Sequence, residues 1–264
     1  MDGNRTLAVI LTAVEVETAS IMSSFDGWKR KKLPGDEQRY FEAFLERDGQ
    51  SYPIITAQQA VMGMTASSSL AMKAIYTFHP EYLIMSGIAA GTGEESLQMY
   101  GDVLVPDMIW DYSTGKYVGP DEAEIRFGDV GFLPRPVSIA TDPELLTIIR
   151  DTIGAEDNEF HVHVGPLACG SSVVANSNMV DKQIKALFPH TIGLDMESYS
   201  VYYAAANACE PKPKAIVVKS ICDFANSEKG DKFQRFAAYT SAGYVNYLLR
   251  KHLPVDQASE LGSS

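Results

Sequence analysis

Short apolar runs alternate with segments of helical periodicity along most of the sequence, and this alternation restricts the chain to a layered α/β fold. Several runs are apolar at consecutive positions, as expected of strands that are buried on both faces. The predicted strands are 7–12, 52–57, 82–87, 102–106, 160–164, 191–194 and 215–221. Apolar residues at helical spacing predict helices over 66–78, 143–153, 180–188, 197–208 and 233–253. We therefore expect an α/β domain with a mostly parallel sheet.

Length and composition favour one sizeable domain. The chain has 264 residues, of which 45% are hydrophobic, so it can bury a large core. We predict a single domain over 1–254 and a flexible C-terminal tail over 255–264, where the sequence is small and polar. The three cysteines are scattered and form no CxxC pair, which argues against a disulfide framework and a structural zinc site.

The charge balance of the chain is acidic. There are 34 Asp and Glu residues against 22 Lys and Arg residues, which gives a net charge of −12. A nonspecific binder of nucleic acid or of anionic membranes normally has the opposite balance, so we expect neither partner. A phosphorylated ligand would therefore need a local basic site. The N-terminal apolar run has only about seven residues, too few for a signal peptide or a membrane span, and we expect a cytoplasmic location.

Polar or glycine-rich segments follow four of the predicted strands, at the sheet edge where α/β proteins bind ligands. Glu15 and Glu17 follow the first strand, and a Gly- and Ala-rich turn at 86–93 follows the third. Glu197 follows the sixth strand, and Asp223 follows the seventh. Each feature also has an ordinary structural explanation: acids favoured by a helix dipole, a plain loop, or a helix cap. Their recurrence at four strand ends favours a common site.

Five ordered motifs give the sequence a family resemblance. They are ILTAVEVE (10–17), SGIAAG (86–91) followed by GDVLV (101–105), VGPLACG (164–170), LDME (194–197) and VVKSICD (217–223). With these motifs the chain resembles the nucleoside phosphorylase/nucleosidase superfamily, which includes purine phosphorylases and methylthioadenosine/adenosylhomocysteine nucleosidases. The segments YSTGK (112–116) and FLPRP (132–136) resemble the nucleosidase domains of immune-signalling proteins. The resemblance implies a three-layer α/β/α sandwich around a mixed sheet, and an enzyme that acts on a C–N glycosidic bond.

The resemblance also implies roles for the acids at the strand ends. Asp223 takes the position of the general acid that protonates the leaving purine. Glu197 takes the position of the carboxylate that holds the ribose 2′- and 3′-hydroxyls, with Met196 packed on the ribose, and Glu17 aligns with the acid that activates water. The predicted catalytic residues are therefore Asp223, Glu17 and Glu197, and the predicted substrate-binding residues are Met196, Ile88, Ala89, Val173, Val174, Lys116, Arg135 and Phe224.

Departures from the family pattern bear on the reaction. Phosphorylases hold phosphate with an Arg and a Ser that flank the first glycine of the turn at 86–93, and Met85 and Ile88 occupy these positions here. Apolar side chains cannot hold a phosphate nucleophile, so we expect hydrolysis rather than phosphorolysis. Val173 stands where an aromatic residue usually stacks on the purine, and Cys222 replaces the serine that usually precedes the acid. These two changes leave the specificity for the base open.

The group at the ribose 5′ position distinguishes the candidate substrates. A thioether, as in methylthioadenosine or adenosylhomocysteine, needs apolar neighbours, whereas phosphates need Lys and Arg. Lys116, Arg126 and Arg135 fall in the irregular segment 110–136 and are candidates for a local basic site; the alternative is that they are ordinary loop charges. We expect an adenine nucleotide such as AMP or ATP as the substrate, rather than a thioether nucleoside.

Two functions of other kinds stay open: a phosphate-dependent purine nucleoside phosphorylase, and a catalytically silent nucleoside-binding effector module. The acids Glu17, Glu197 and Asp223 count against the silent module, because binding alone needs no water-activating acid. We expect no cofactor. In the family a neighbouring subunit often completes the 5′ end of the site, so we expect a homodimer or a larger homo-oligomer.

Two further patterns have structural explanations. His161 and His163 alternate and therefore share a face of their strand, but no third ligand with suitable spacing is evident, so we expect no metal site. The basic run KRKK (29–32) is expected to be a solvated surface turn. The alternative is that this run forms an electrostatic funnel for an anionic substrate.

Overall fold

A ten-stranded mixed sheet forms the centre of the computed structural model, which describes residues 6–93, 97–118, 132–174, 177–225 and 231–255. The strands are β1 (Ala8–Thr12), β2 (Lys29–Leu33), β3 (Asp36–Arg47), β4 (Gln50–Gln58), β5 (Tyr82–Gly91), β6 (Val103–Asp111), β7 (Gly115–Tyr117), β8 (Phe132–Pro134), β9 (Ser138–Ala140), β10 (Val162–Cys169), β11 (Gly193–Asp195) and β12 (Lys214–Asp223). Strands β7 and β8 lie outside the main sheet and pair with each other.

Helices connect the strands, as the sequence periodicity predicts. They are α1 (Glu15–Ser24), α2 (Met64–Phe78), α3 (Pro143–Thr152), α4 (Ser177–Met179), α5 (Ser198–Asn207) and α6 (Gln234–Tyr247). Helix α4 continues as a π-helix over Val180–Lys185, and α6 continues as a π-helix over Leu248–His252. Every predicted strand and helix has a counterpart whose ends differ by a few residues.

The order of the strands brings several strand ends together. It runs β11-β10-β6-β12-β5-β1-β4-β3-β2 across the sheet, and β9 pairs with β6. Strands β4, β1, β5 and β12 are parallel, whereas β12 and β6 pair antiparallel. Strand β11 pairs with β10 and also, through Gly193 and Gly91, with β5, so this part of the sheet curls back on itself. The ends of β1, β5, β11 and β12 therefore meet at one edge.

Alternation along the strands separates two hydrophobic layers. Val9 and Leu11 of β1 pack in a cluster with apolar residues of α2 and α5. Ala8 and Ile10 of the same strand pack in a second cluster with residues of α1, α3 and α6. Because successive side chains of a strand point to opposite faces, one buried strand serves both layers. The α/β prediction with a mixed central sheet between helical layers is confirmed.

The basic run 29–32 is a strand, so the prediction of a surface turn is wrong. It forms most of β2, which pairs antiparallel with β3 across the Pro34-Gly35 turn at the edge of the sheet. Lys31 pairs with Glu42 of β3, which offsets charge on the ribbon. These antiparallel pairings also make the sheet more mixed than the strand pattern predicts.

The C-terminal region stays partly a matter of prediction. Residues 256–264, which make up most of the predicted tail, lie outside the described residues, and the domain boundary at 254 remains a prediction. Among the described helices, none is both long and apolar enough to cross a membrane.

The start of α3 provides a test of the fold assignment. Asp142 Oδ1 accepts hydrogen bonds from the backbone N–H groups of Glu144 at 2.9 Å and Leu145 at 3.1 Å. We predict that Asp142→Ala lowers the free energy of unfolding by about 1 kcal/mol, because these donors lose their cap. The measurement is urea unfolding followed by circular dichroism. Asp151→Ala, near the exposed C-terminal end of the same helix, is the control and should lose no stability. Equal losses in both variants would contradict the capping role.

Candidate active site

A cavity of about 230 Å³ opens where β1, β5, β11 and β12 end. Its walls are mostly aliphatic, but four carboxyl groups line it. The lining residues that the structure describes are Ala13, Val14, Glu17, Met62, Ile88, Ala89, Ala90, Tyr112, Ser172, Val173, Val174, Leu194, Asp195, Met196, Glu197, Cys222, Asp223 and Gln234. The three acids predicted to be catalytic thus reach one cavity from separate parts of the chain.

Glu17 is held by backbone groups on two sides. Its Oε2 accepts hydrogen bonds from the N–H groups of Ala13 at 2.6 Å and Val14 at 3.0 Å, just before α1. Its Oε1 accepts a hydrogen bond from the N–H of Ile88 at 2.9 Å, in the second half of β5. A Cβ atom on Gly87 would lie 2.2 Å from Oε1, so only glycine permits this close approach. The carboxylate is therefore fixed in one orientation while it lines the cavity.

Glu197 is held between a backbone donor and a buried lysine. Its Oε1 accepts a hydrogen bond from Gly63 N–H at 2.9 Å, and its Oε2 lies 3.5 Å from Lys219 Nζ. Lys219 Nζ also lies 3.2 Å from Asp195 Oδ2, and the lysine side chain is wholly buried. Asp195 in turn accepts a hydrogen bond from Ser198 N–H at 3.0 Å, at the start of α5. Strand β12 thus supplies the cation that links β11 to the start of α5.

Burial and the neighbouring charges shift the pKa values of Glu197 and Lys219. Burial raises the pKa of Glu197 above its ordinary value, although the nearby Lys219 ammonium counteracts part of that effect. Burial alone would lower the pKa of Lys219, but the carboxylates of Asp195, Glu197 and Glu17 outweigh it and raise that pKa. Lys219 is therefore charged at neutral pH and offsets part of the negative charge of the cavity.

Asp223 lies at the last position of β12. Its Oδ1 accepts a hydrogen bond from Ala225 N–H at 2.9 Å, and the Cys222 thiol donates to its Oδ2 at 3.4 Å. Ala225 has a positive φ of 52°, which is uncommon for a residue other than glycine and turns its N–H back towards the carboxylate. The chain after β12 thus bends sharply around the acid.

The structure brings five of the predicted binding residues to the cavity. Met196, Ile88, Ala89, Val173 and Val174 all line it. Val174 is buried, whereas Val173 is 54% exposed. The cavity wall at this position is therefore aliphatic, as the sequence predicts.

The other three predicted binding residues lie elsewhere. Phe224 follows the acid, but its ring packs edge-on against Tyr100, with ring centroids 5.2 Å apart, and does not line the cavity. Lys116 and Arg135 are exposed on and beside the β7–β8 hairpin, and neither lines the cavity. The third candidate cation, Arg126, lies outside the described residues.

Comparison with known proteins shows the family. The family model of the Phosphorylase superfamily matches residues 8–250. The chain belongs to the phosphorylase superfamily. It is 31% identical over 242 residues to the uncharacterized protein y4jS of Sinorhizobium fredii, and the match covers 83% of this chain and 55% of that protein.

Two other relatives carry functional names. A 5′-methylthioadenosine/S-adenosylhomocysteine nucleosidase of Buchnera aphidicola is 28% identical, with 92% of this chain and 95% of the relative covered. The ATP nucleosidase Cap17 of Escherichia coli is 24% identical, with 89% of this chain covered. The chain spans about half the length of Cap17 and of y4jS, at 49% and 55% respectively.

A solved nucleosidase structure supports the fold. The S-adenosylhomocysteine nucleosidase of Streptococcus pyogenes, in complex with 5-methylthiotubericidin, superposes with a TM-score of 0.75 at 23% identity. The match covers 97% of this chain and 100% of that chain. The chain therefore shares the layered α/β fold of that nucleosidase structure.

Sequence reasoning missed Lys219, Asp195 and Tyr112. Lys219 has a recognisable signal, because it is the one charged residue between Ala215 and Cys222 in an otherwise buried strand. Asp195 lies in a quoted motif, but nothing in the sequence shows that it pairs with Lys219. Tyr112 lines the cavity, and its hydroxyl donates to the Ser172 carbonyl at 2.9 Å. The Lys219–Asp195 contact and the Tyr112–Ser172 contact each join separate parts of the chain.

Replacement of Lys219 tests the buried charge group. We predict that Lys219→Met lowers the free energy of unfolding by about 3–5 kcal/mol, because Asp195 and Glu197 lose their buried cation. Without the ammonium, the pKa of Glu197 rises further. A carboxyl whose pKa is raised in the folded protein stabilises the fold at low pH, and this contribution is lost as pH rises through the folded pKa. The deficit relative to wild type should therefore grow from pH 5 to pH 8.

The control for this test lies on the same strand. Lys214 begins β12, is partly exposed and pairs with Glu144. Lys214→Met should change stability by less than about 1 kcal/mol, with little dependence on pH, because exposed pairs contribute little. Urea unfolding of both variants at the two pH values is the measurement. A pH-independent deficit in Lys219→Met would show that the lysine acts by packing alone.

Proposed function

We propose that the chain is a purine N-ribohydrolase, which cleaves the C–N bond between adenine and ribose with water. The observation that carries this proposal is the convergence of Glu17, Glu197 and Asp223 on one apolar cavity. The three acids are buried and come from separate elements, so only the folded chain unites them. The relatives named as nucleosidases support the same activity.

The proposed reaction uses each acid once. As the bond breaks, negative charge builds on the base, and Asp223 donates a proton to a ring nitrogen of the leaving purine. Positive charge builds on the sugar, and Glu197 accepts hydrogen bonds from the ribose hydroxyls and offsets that charge. A water molecule attacks the anomeric carbon, and Glu17 accepts its proton. Free base and the sugar, which keeps its 5′ group, are the products. Glu17 then releases the proton of the attacking water, and Asp223 takes up a proton through solvent, so both acids regain their starting states.

The surroundings of Glu17 favour water over phosphate as the nucleophile. Met85 is fully buried in β5, and the N–H of Ile88 is engaged by the Glu17 carboxylate. Among the described residues that line the cavity, none is a lysine or an arginine. A phosphate dianion beside Glu17 would therefore meet a like charge and no lining cation, whereas water can donate to the carboxylate.

The 5′ group of the substrate has two candidates, and different observations favour each. An adenine nucleotide is favoured by the cations Lys116 and Arg135 beside the hairpin that follows the cavity residue Tyr112, and by the similarity to an ATP nucleosidase. A thioether nucleoside is favoured by the aliphatic lining and by the similarity to a methylthioadenosine nucleosidase. We propose that the substrate is an adenine nucleotide, which carries phosphate at the 5′ position. A homodimer or larger oligomer remains a prediction.

The acid assignment is tested by Asp223→Asn. The amide preserves the shape of the side chain but cannot donate the proton, so release of free base should fall by about 10²–10⁴-fold. Ligand affinity should stay within about tenfold of wild type, because the change acts mainly on the transition state. Chromatography of released adenine and equilibrium binding of substrate are the measurements. Asp181→Asn, an exposed acid, is the control. Near-native turnover of the Asp223 variant would assign the proton to another group.

The substrate is tested with adenosine, methylthioadenosine, adenosylhomocysteine, AMP and ATP, each with and without phosphate. We predict phosphate-independent release of adenine, fastest from a nucleotide. Arg135→Ala and Lys116→Ala should each lower kcat/KM for ATP by about tenfold or more, because a charge-assisted hydrogen bond contributes about 1.5–3 kcal/mol. Activity on methylthioadenosine should change little.

The matched control for the two cations is Arg150→Ala, which removes an exposed arginine from α3. Helix α3 packs on the opposite face of the sheet from α2 and α5. It should leave activity on every substrate unchanged. Activity of the wild type on ATP should also fall as salt screens the cations. Equal losses on ATP and methylthioadenosine, or activity on the thioether alone, would make the chain a thioether nucleosidase. A requirement for phosphate would make it a phosphorylase.

A further inference from the structure

Three side chains with metal-ligand chemistry meet outside the cavity. His161 Nδ1 lies 2.9 Å from Asp102 Oδ2, and His163 Nε2 lies 2.8 Å from the same oxygen. The two ring nitrogens and the carboxylate oxygen all lie within 4.8 Å of one another. The expectation that no third ligand accompanies the histidines is therefore wrong. The third ligand was missed because it lies about sixty positions earlier in the sequence, on a different strand.

The sheet itself places these groups together. Strands β6 and β10 are parallel, and Val103 pairs with Val162. Asp102 immediately precedes Val103, and the two histidines flank Val162, so both imidazoles lie on the face where the carboxylate reaches them. Asp102 is 4% exposed and also accepts the backbone N–H of Met99 at 2.9 Å, which fixes its carboxylate. The positions of the ligands thus follow from backbone pairing rather than from a mobile loop.

We propose that Asp102, His161 and His163 bind one divalent transition-metal ion of the zinc type. Two imidazoles and one carboxylate are a donor set that Zn²⁺ accepts, through three protein ligands and one further position. Tetrahedral Zn²⁺ with bonds of about 2.0–2.1 Å separates its ligand atoms by roughly 3.3 Å. The two nitrogen–oxygen separations of 2.8 and 2.9 Å need to widen by a few tenths of an ångström, and the two ring nitrogens, which lie within 4.8 Å of each other, need to adopt a similar spacing.

Water completes the proposed coordination. The His161 side chain is 61% exposed, so the ion can enter from solvent and keep a water ligand on that side. The carboxylate and two neutral imidazoles carry one negative charge, and the net charge of the chain is −12, so a dication is electrostatically favoured. None of the three residues lines the cavity, which makes this site distinct from the candidate active site.

Calorimetric titration with Zn²⁺ tests the proposal. The full chain, without an affinity tag and stripped with a chelator, should bind one Zn²⁺ per chain, and Co²⁺ should give the visible absorption of a tetrahedral complex. His161→Ala is the main variant, because the side chain is largely exposed and its loss should not affect folding. Zinc affinity should fall at least about tenfold in His161→Ala and in His163→Ala. Circular dichroism verifies that both variants fold.

Two controls separate this site from other zinc ligands. His190→Ala removes an exposed histidine outside the trio, and Cys209→Ser removes an exposed thiol; both should leave zinc affinity unchanged. The proposal is overturned if the wild type binds neither Zn²⁺ nor Co²⁺. It is also overturned if zinc affinity survives in His161→Ala and His163→Ala, or if Cys209→Ser abolishes binding. Because none of these measurements uses enzymatic activity, their outcome is independent of the proposed function.

Discussion

The candidate site depends on one buried ammonium group. Lys219 is wholly inaccessible and lies against Asp195 and Glu197, with Glu17 close enough to influence it. Burial of charged groups costs several kcal/mol each, and removal of one partner leaves that cost uncompensated. Here the Lys219 ammonium offsets carboxylates that the proposed chemistry requires in a mostly aliphatic cavity. The stability of this part of the fold and the charge state of the site are therefore set by the same residue.

The curl of the sheet determines which residues reach the site. Parallel strands β1, β5 and β12 bring Glu17, Ile88 and Asp223 to one edge, as the general rule for α/β sheets predicts. Glu197 arrives differently, because β11 pairs antiparallel with β5 through Gly193 and closes the edge from the other side. The strand-end rule explains part of the site, and the irregular pairing of β11 supplies the rest.

Much of the fold and the acid positions could be predicted from sequence, because buried strands are apolar runs and the acids stand directly after them. The edge strand β2 could not be predicted, because its residues are mostly charged and lack the apolar pattern of a strand. This strand depends on its pairing with β3. Sequence also did not predict that Lys219 pairs with Asp195, or that Asp102 contacts the two histidines. Each of these contacts joins residues of separate strands. The placement of Lys116 and Arg135 depends on the path of a hairpin that no local pattern specifies.

Asp102 links the two sites through its backbone. Its side chain receives the histidines, while its carbonyl accepts the N–H of Ile221 at 3.0 Å, two residues before Asp223. The neighbouring Gly101 N–H donates to the Ile221 carbonyl at 2.8 Å, so both backbone groups of Ile221 are held by this segment. The segment that contains Asp102 and the end of β12 are therefore joined by two backbone hydrogen bonds. The backbone that carries Asp102 thus also helps to hold the end of β12, the strand that carries Asp223, so the histidine trio and the candidate active site share one piece of the sheet.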